Sequence, residues 1–375
     1  MGGKILSKNE GSVEEDKMNA KASRCKFRSV GCLIAFCLSL WGGLAVAGDD
    51  PDNDKDNQRS TAEDFLRLGV RPIAIGHHGV GPNSGANPDP ALPIENTVDS
   101  VRQAYNLGAR VVEVDVQLTQ DGRLAVFHDD FLGDFTCIHA LTLDQLQQRL
   151  PYVPELRQVI KVAREFNNRA GDDLGGILIV ELKAFSPHCD PGDELEQAVV
   201  SAAVSEVRRA KMADRVIFDS FSPALLLLAA QTGPEIPREL DLSGLQLLTP
   251  AQIQAITGFP VTIINKKNSL GLTWAEIGPV FRLPGYASAQ QFLATGMATS
   301  VRVVGGEMNF FGAAEQQQPG SGVAFVAGAH SLGLRVFADP AGSEADWSFF
   351  ASLGVDAIYS TIPLGVRLQP AIPEP

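Results

Sequence analysis

"VVEVDVQLTQDGRLAVFHDD", residues 111–130, carries apolar residues alternating along both halves, with Asp121-Gly122 between them. This pattern predicts a β-hairpin. A two-residue turn at Asp121-Gly122 would set Asp115 opposite His128 and Glu113 opposite Asp130. Side chains alternate faces along a strand, so Glu113, Asp115 and His128 would share one face. The run "ARVVEVDV" is too apolar for an exposed edge hairpin. Glu113 and Asp115 are therefore expected inside a buried strand, where unpaired carboxylates are costly and a cation would compensate them. Two carboxylates beside an imidazole suit a metal site with a proton-transfer group next to it.

Outward from this stretch, strand-like and helix-like segments alternate. "PIAIGHHG" (72–79) is a short apolar strand ending in His77 and His78. "IENTVDSVRQAYNLGA" (94–109) places Val98, Val101, Ala104 and Tyr105 at helical spacing, with Asn96 or Thr97 to cap it and Gly108 to end it. "GGILIVELK" (175–183) is a buried strand ending in Glu181 and Lys183, and "RVIFDSF" (215–221) carries Asp219. "GLQLL", "VTIINKK" and "SVRVVGGEM" are further strand candidates, one of them in an insertion. "GLRVFADP" and "GVDAIYSTIP" close the pattern. Polar residues gathered at strand C-termini favour a parallel sheet, a (β/α)8 TIM barrel with the hairpin at its mouth. A doubly wound open sheet is the alternative, but no G-x-G-x-x-G follows the first strand.

Composition is ordinary for a globular protein, 375 residues, 45% hydrophobic and 20% charged, with a formal net charge of −13, and the length suits one large α/β barrel or two smaller domains. Nothing basic clusters in the body of the chain, which argues against a nucleic-acid partner. Residues 1–28 are basic, and Ser29–Gly48 has no charge and ends in Ala45-Val46-Ala47. Residues 1–47 therefore read as a secretory signal peptide, giving a secreted or periplasmic protein. The alternative is a retained anchor, in which residues 29–48 associate with a membrane. Residues 48–68 read as an acidic flexible leader, and 69–370 as the barrel domain. The processed chain keeps Cys137 and Cys189, which could pair in an oxidising compartment.

The motifs "HHG" (77–79), "ENT" (95–97), "EVDVQLTQDGRLAVFHD" (113–129), "ELK" (181–183) and "DSF" (219–221) together resemble the glycerophosphodiester phosphodiesterase family. That resemblance implies a TIM barrel that hydrolyses a small phosphodiester with calcium or magnesium as cofactor. It implies metal ligands at Glu113, Asp115 and Glu181, catalytic histidines at His77 and His128, and a phosphate-facing Lys183. Three departures bear on the substrate. His78 stands where the family usually has arginine, which leaves it as a substrate-binding candidate. Asp134 stands at another arginine position, and Phe337 replaces a tryptophan.

Other residues have plainer readings. His139, His188 and His330 are expected on the surface or in the core. Glu95 would favour a helix N-terminus or else touch the site, and Asp129 would orient His128 or cap a turn. Adjacent residues on a strand face opposite ways, so one of His77 and His78 is expected to point away from the site. Two other functions stay open: a phospholipase acting on intact lipids, with "NFF" (309–311) and Trp274 as candidate lipid contacts, and a barrel that binds phosphodiesters without turnover.

Overall fold

The computed structural model describes residues 61–84, 88–167, 175–258, 266–267, 273–277 and 281–371. The expected signal peptide or anchor, residues 1–47, lies outside the described residues. Among those described, no helix is long and apolar enough to cross a membrane.

The strands are β1 (Ile73–Gly76), β2 (Val111–Leu118), β3 (Leu124–Val126), β4 (Ile177–Leu182), β5 (Val216–Ser220), β6 (Arg238–Leu240), β7 (Lys266–Lys267), β8 (Thr273–Ile277), β9 (Phe281–Leu283), β10 (Val303–Glu307), β11 (Arg335–Ala341) and β12 (Ala357–Ser360). Neighbours pair in the order β1-β12-β11-β10-β6-β5-β4-β2, and β1 pairs with β2 as well. Those eight strands are parallel and close a (β/α)8 barrel, with β3 added antiparallel to the end of β2. β7, β8 and β9 form a separate three-stranded sheet within the segment between β6 and β10.

Strand parity explains both cores. On β2 and β4 the outward residues Val112, Val114, Val116, Leu178, Val180 and Leu182 pack under the helices. The inward residues change character with height. Val111, Ile177, Ile179 and Ile217 fill the lower barrel with Ile73, Ile75, Val303 and Phe337. One step higher the inward positions are Glu113, Asp115, Glu181 and Asp219, all buried. The sequence therefore builds an apolar floor and an ionisable ceiling from the same strands.

Two expectations about the elements need correction. Residues 62–67, assigned to the flexible leader, form a helix with a capping box between Thr61 and Asp64. Ala62, Phe65 and Leu66 join the lower barrel core, so burial of an apolar face outweighs the polar sequence before it. "GLQLL" is not a strand: Gly244–Leu247 is a 3₁₀ turn capped by Ser243. Of "VTIINKK", only Lys266 and Lys267 lie within the described residues.

The hairpin register also differs. Val116 pairs with Val126 and Leu118 with Leu124. The loop is closed by the Thr119 amide donating to the Arg123 carbonyl at 2.9 Å, not by a two-residue turn. Thr119 causes this, because its hydroxyl bonds Asp121 and the Arg123 carbonyl and so spends an extra residue on the loop. Asp115 thus faces Phe127, whose amide donates to the Asp115 carbonyl at 3.1 Å, and His128 lies beyond the end of β3.

Candidate active site

The first histidine pair leaves β1 at Gly76. The His77 amide donates to the Ser360 carbonyl and the Gly79 amide to the Glu113 carbonyl, each at 3.2 Å. His78 has φ 49° and Gly79 φ 95°, both left-handed, so the backbone turns here instead of continuing as a strand. A side chain at Gly79 would meet the Ser100 hydroxyl at 2.2 Å, which explains why glycine stands there. This turn cancels the strand alternation. Both rings point into the mouth, with centroids 3.9 Å apart, contrary to the expectation that one would point away.

Glu113 accepts the His78 amide on Oε2 at 2.8 Å. Its Oε1 is buried without a hydrogen-bond partner. Asp115 is held from both sides by Asn96, whose Nδ2 donates to Oδ2 at 2.7 Å and whose Oδ1 accepts the Asp115 amide at 3.0 Å. His78 Nε2 lies 3.2 Å from the same Oδ2. Lys183 Nζ reaches Asp115 at 2.8 Å and Glu181 at 2.7 Å. One ligand oxygen from each of Glu113, Asp115 and Glu181 lies within 4.8 Å of the others.

His128 reaches the site although the register differs from expectation. The chain departs from the sheet after Val126, and Gln117 Nε2 holds the His128 carbonyl at 2.9 Å. The ring then stands 5.5 Å from that of His78. Asp129 takes His128 Nδ1 at 2.7 Å, so of its two expected roles it fills the orienting one. Glu95 does more than favour a helix: its Oε2 lies 3.5 Å from His78 Nδ1 and accepts the Asn83 amide at 2.8 Å.

The electrostatics follow from burial. Burial first, then Asp115 and Glu181, push the Glu113 carboxyl well above the usual range. Burial also raises Glu181, to about 8, against the opposing pull of Lys183. Asp115 goes the other way. Its burial penalty is outweighed by Lys183, His78 and His128, which hold its pKa well below the ordinary value. Burial and the neighbouring His78 keep His77 well below an ordinary histidine, so it is neutral. The triad fits a hard divalent cation: the donors are all oxygen, they converge, and one buried oxygen has no partner.

Several site residues were not singled out from sequence. Asn96 was read, with Thr97, only as a candidate cap; Thr97 caps that helix, as one of the two alternatives had it, and Asn96 turns inward at φ 57°. Glu239 on β6 and Asp241 just after it line the opposite wall with Asp219, and Asp339 Oδ1 stands 3.5 Å from His77 Nδ1. β6 has only three residues, too few to show a period. The plainer readings hold for the remaining histidines: His139 packs on Phe185, His188 bonds the Phe135 carbonyl and His330 bonds Asp356. Of the lipid-contact candidates, Phe310 and Phe311 are core residues, and the Trp274 side chain lies outside the described residues.

A closed parallel barrel with carboxylates and histidines gathered at the C-terminal ends of its strands defines a barrel enzyme class whose chemistry sits at that mouth. Residues 83–361 match the model of the glycerophosphoryl diester phosphodiesterase family, and the chain belongs to that family. It is similar to the glycerophosphocholine phosphodiesterase GDE1 of Eremothecium gossypii, 41% identical over 87 residues that make 22% of this chain and 6% of the relative. It is also similar to a glycerophosphodiester phosphodiesterase of Caldanaerobacter subterraneus, 26% identical over 41% of this chain and 59% of the relative. The chain thus spans less than two thirds of the length of either relative. Among solved structures, an Oleispira antarctica phosphodiesterase in complex with sn-glycerol-3-phosphate superposes with TM-score 0.53 at 21% identity, covering 79% of this chain and 95% of that one. A Parabacteroides distasonis glycerophosphodiester phosphodiesterase gives TM-score 0.53 at 18% identity over 80% and 96%. Both likenesses are of fold.

Proposed function

We propose that the protein hydrolyses glycerophosphodiesters to glycerol 3-phosphate and an alcohol, with a divalent cation, calcium or magnesium, as cofactor. The observation that carries this reading is the convergence of Glu113, Asp115 and Glu181 with His77, His78 and His128 at one barrel mouth. When bound by the three carboxylates, a cation supplies Lewis-acid stabilisation of charge on a non-bridging phosphoryl oxygen.

The side chains divide the remaining work. Asp129 holds His128 Nδ1, so Nε2 of that ring is the atom that transfers a proton. His77 directs Nδ1 toward Asp339, which leaves its Nε2 free for the same task. One ring takes a proton from the attacking oxygen, water or a neighbouring substrate hydroxyl. The other delivers a proton to the departing alcohol as the phosphorus–oxygen bond breaks. His78 and Lys183 serve the substrate's phosphate, and both also brace Asp115.

The purified chain should release glycerol 3-phosphate and choline from glycerophosphocholine. His77→Ala and His128→Ala should each lower kcat by about 10²–10⁴-fold. Full activity in both variants would remove the two-histidine scheme.

Export through residues 1–47 is part of the same proposal, and the disulfide between Cys137 and Cys189 supports it. Mass spectrometry of protein from its native cell should find a chain beginning near Gly48. An intact chain in the membrane fraction would indicate the anchor instead.

A further inference from the structure

Asp115 pairs with Glu181, Glu181 with Asp219, and Asp219 with Glu239, each across neighbouring strands. Strands in a sheet lie about 4.8 Å apart, so one level of the barrel carries four carboxylates in an unbroken row. The first half of this row belongs to the triad described above. The second half forms a group of its own: oxygens of Asp219, Glu239 and Asp241 lie within 4.8 Å of one another.

We propose that Asp219, Glu239 and Asp241 hold a second divalent cation, of the hard class that oxygen ligands select. Three observations support it. The residues are only 2%, 0% and 8% exposed, and Asp219 Oδ1 and Glu239 Oε1 are buried with no hydrogen-bond partner. Glu239 is aimed by Tyr359, whose hydroxyl donates to Oε2 at 2.7 Å and leaves Oε1 to face the group. The group can assemble because β10 carries glycine: a side chain at Gly305 would fall on Asp241 Oδ1, at 1.5 Å, and crowd Glu239 Oε1 at 2.9 Å, so glycine is what lets Asp241 turn in beside Glu239.

The energetic argument is one of charge. Among the described residues no lysine, arginine or histidine forms an ion pair with any of the three. Asp339 and Glu307 add negative potential from β11 and β10. A buried carboxylate must take up a proton or meet a cation, and three converging oxygens with two orphan lone-pair sites suit the cation. Burial raises all three carboxyl groups, with Asp241 at about 6, so shared protons are the competing arrangement. The proposal stands on this group's geometry and does not require the phosphodiesterase reading.

Titration of the full chain with Mn²⁺, reading free ion by electron paramagnetic resonance, tests it. The wild type should bind two equivalents. Asp219→Asn with Glu239→Gln should bind one, and Gly305→Ala, whose added methyl would push Asp241 Oδ1 out of the group, should also lose the second equivalent. Should the double variant fail to fold, Glu113→Gln decides: one equivalent still bound supports the second site, and none overturns it. A wild type that binds a single equivalent, or a folded double variant that still binds two, would show that the group holds protons and not a metal.

Discussion

Asn96 shows how much of the site depends on an uncharged residue. It spends both ends of its amide on Asp115 and accepts a left-handed backbone to do so. Partners that orient a ligating side chain are typically worth about 10–100-fold in metal affinity. Asn96→Ala should weaken cation binding at the triad by about that factor while leaving the fold intact, as read by Mn²⁺ titration beside circular dichroism. Unchanged affinity would mean that Asp115 is held by Lys183 and His78 alone. Charged and motif-bearing residues were legible in the sequence because burial of Glu113 and Asp115 follows from the apolar run around them. Asn96 was not, because an asparagine before a helix reads as a cap unless its backbone conformation is known.

The strands and loops show a different limit. The hairpin was legible as a hairpin, but its register was not, since the hydroxyl of Thr119 adds a residue to the loop. The parity argument that grouped Glu113, Asp115 and His128 was therefore wrong for His128. The ring arrives because the chain leaves the sheet after Val126, an event that no alternation pattern records. The turn at His78–Gly79 defeats parity in the same way. β6 escaped notice because its short, polar segment gains its place from its neighbours, and two carboxylates of the far wall went unseen with it.

Two elements near the site make testable claims. The Cys137–Cys189 bond ties the loop after His128 to the loop after Lys183. Asp130 adds a second tie by accepting the Ser186 amide at 2.6 Å. Replacing both cysteines by serine should cost roughly 2–4 kcal/mol in urea unfolding and lower kcat as His128 loses its anchor. An unchanged denaturation midpoint would mean that Asp130 alone holds the two loops.

The helix Glu196–Arg209 begins with a buried acid whose two oxygens lack hydrogen-bond partners. Burial first, then Asp193 and Asp190, raise Glu196 to about 8. A raised carboxyl keeps its proton in the folded protein while the unfolded chain has released it. Its contribution is thus fully present below about pH 4.5 and is lost as pH rises toward about 8. Glu196→Gln should therefore raise Tm at pH 9 and change it little at pH 4. Equal shifts at both values would show that Glu196 does not titrate in this range.

The barrel divides along its axis into a stability end and a chemical end. At the bottom, the helix Ala62–Arg67 seats Phe65 and Leu66 against Phe337 and the lower aliphatic residues. At the top, the same inward strand positions bear carboxylates. The alternation of strands and helices made the barrel legible because each strand carries its apolar run within a few residues. The closing helix was not legible: its six residues follow an acidic, polar stretch and gain their order only by packing on the barrel.

The net charge of −13 takes its meaning from this division. A mouth so rich in carboxylates would repel an anionic phosphodiester unless cations were bound there. The most direct test is the rate of glycerophosphocholine hydrolysis against free magnesium or calcium, for the wild type and for Glu113→Gln with Asp115→Asn. The wild type should lose activity in chelator and recover it with either cation, while the double variant should stay inactive at every cation concentration. Hydrolysis that persists in chelator, or a double variant as active as the wild type, would contradict the assignment of the triad as the metal centre of a phosphodiesterase.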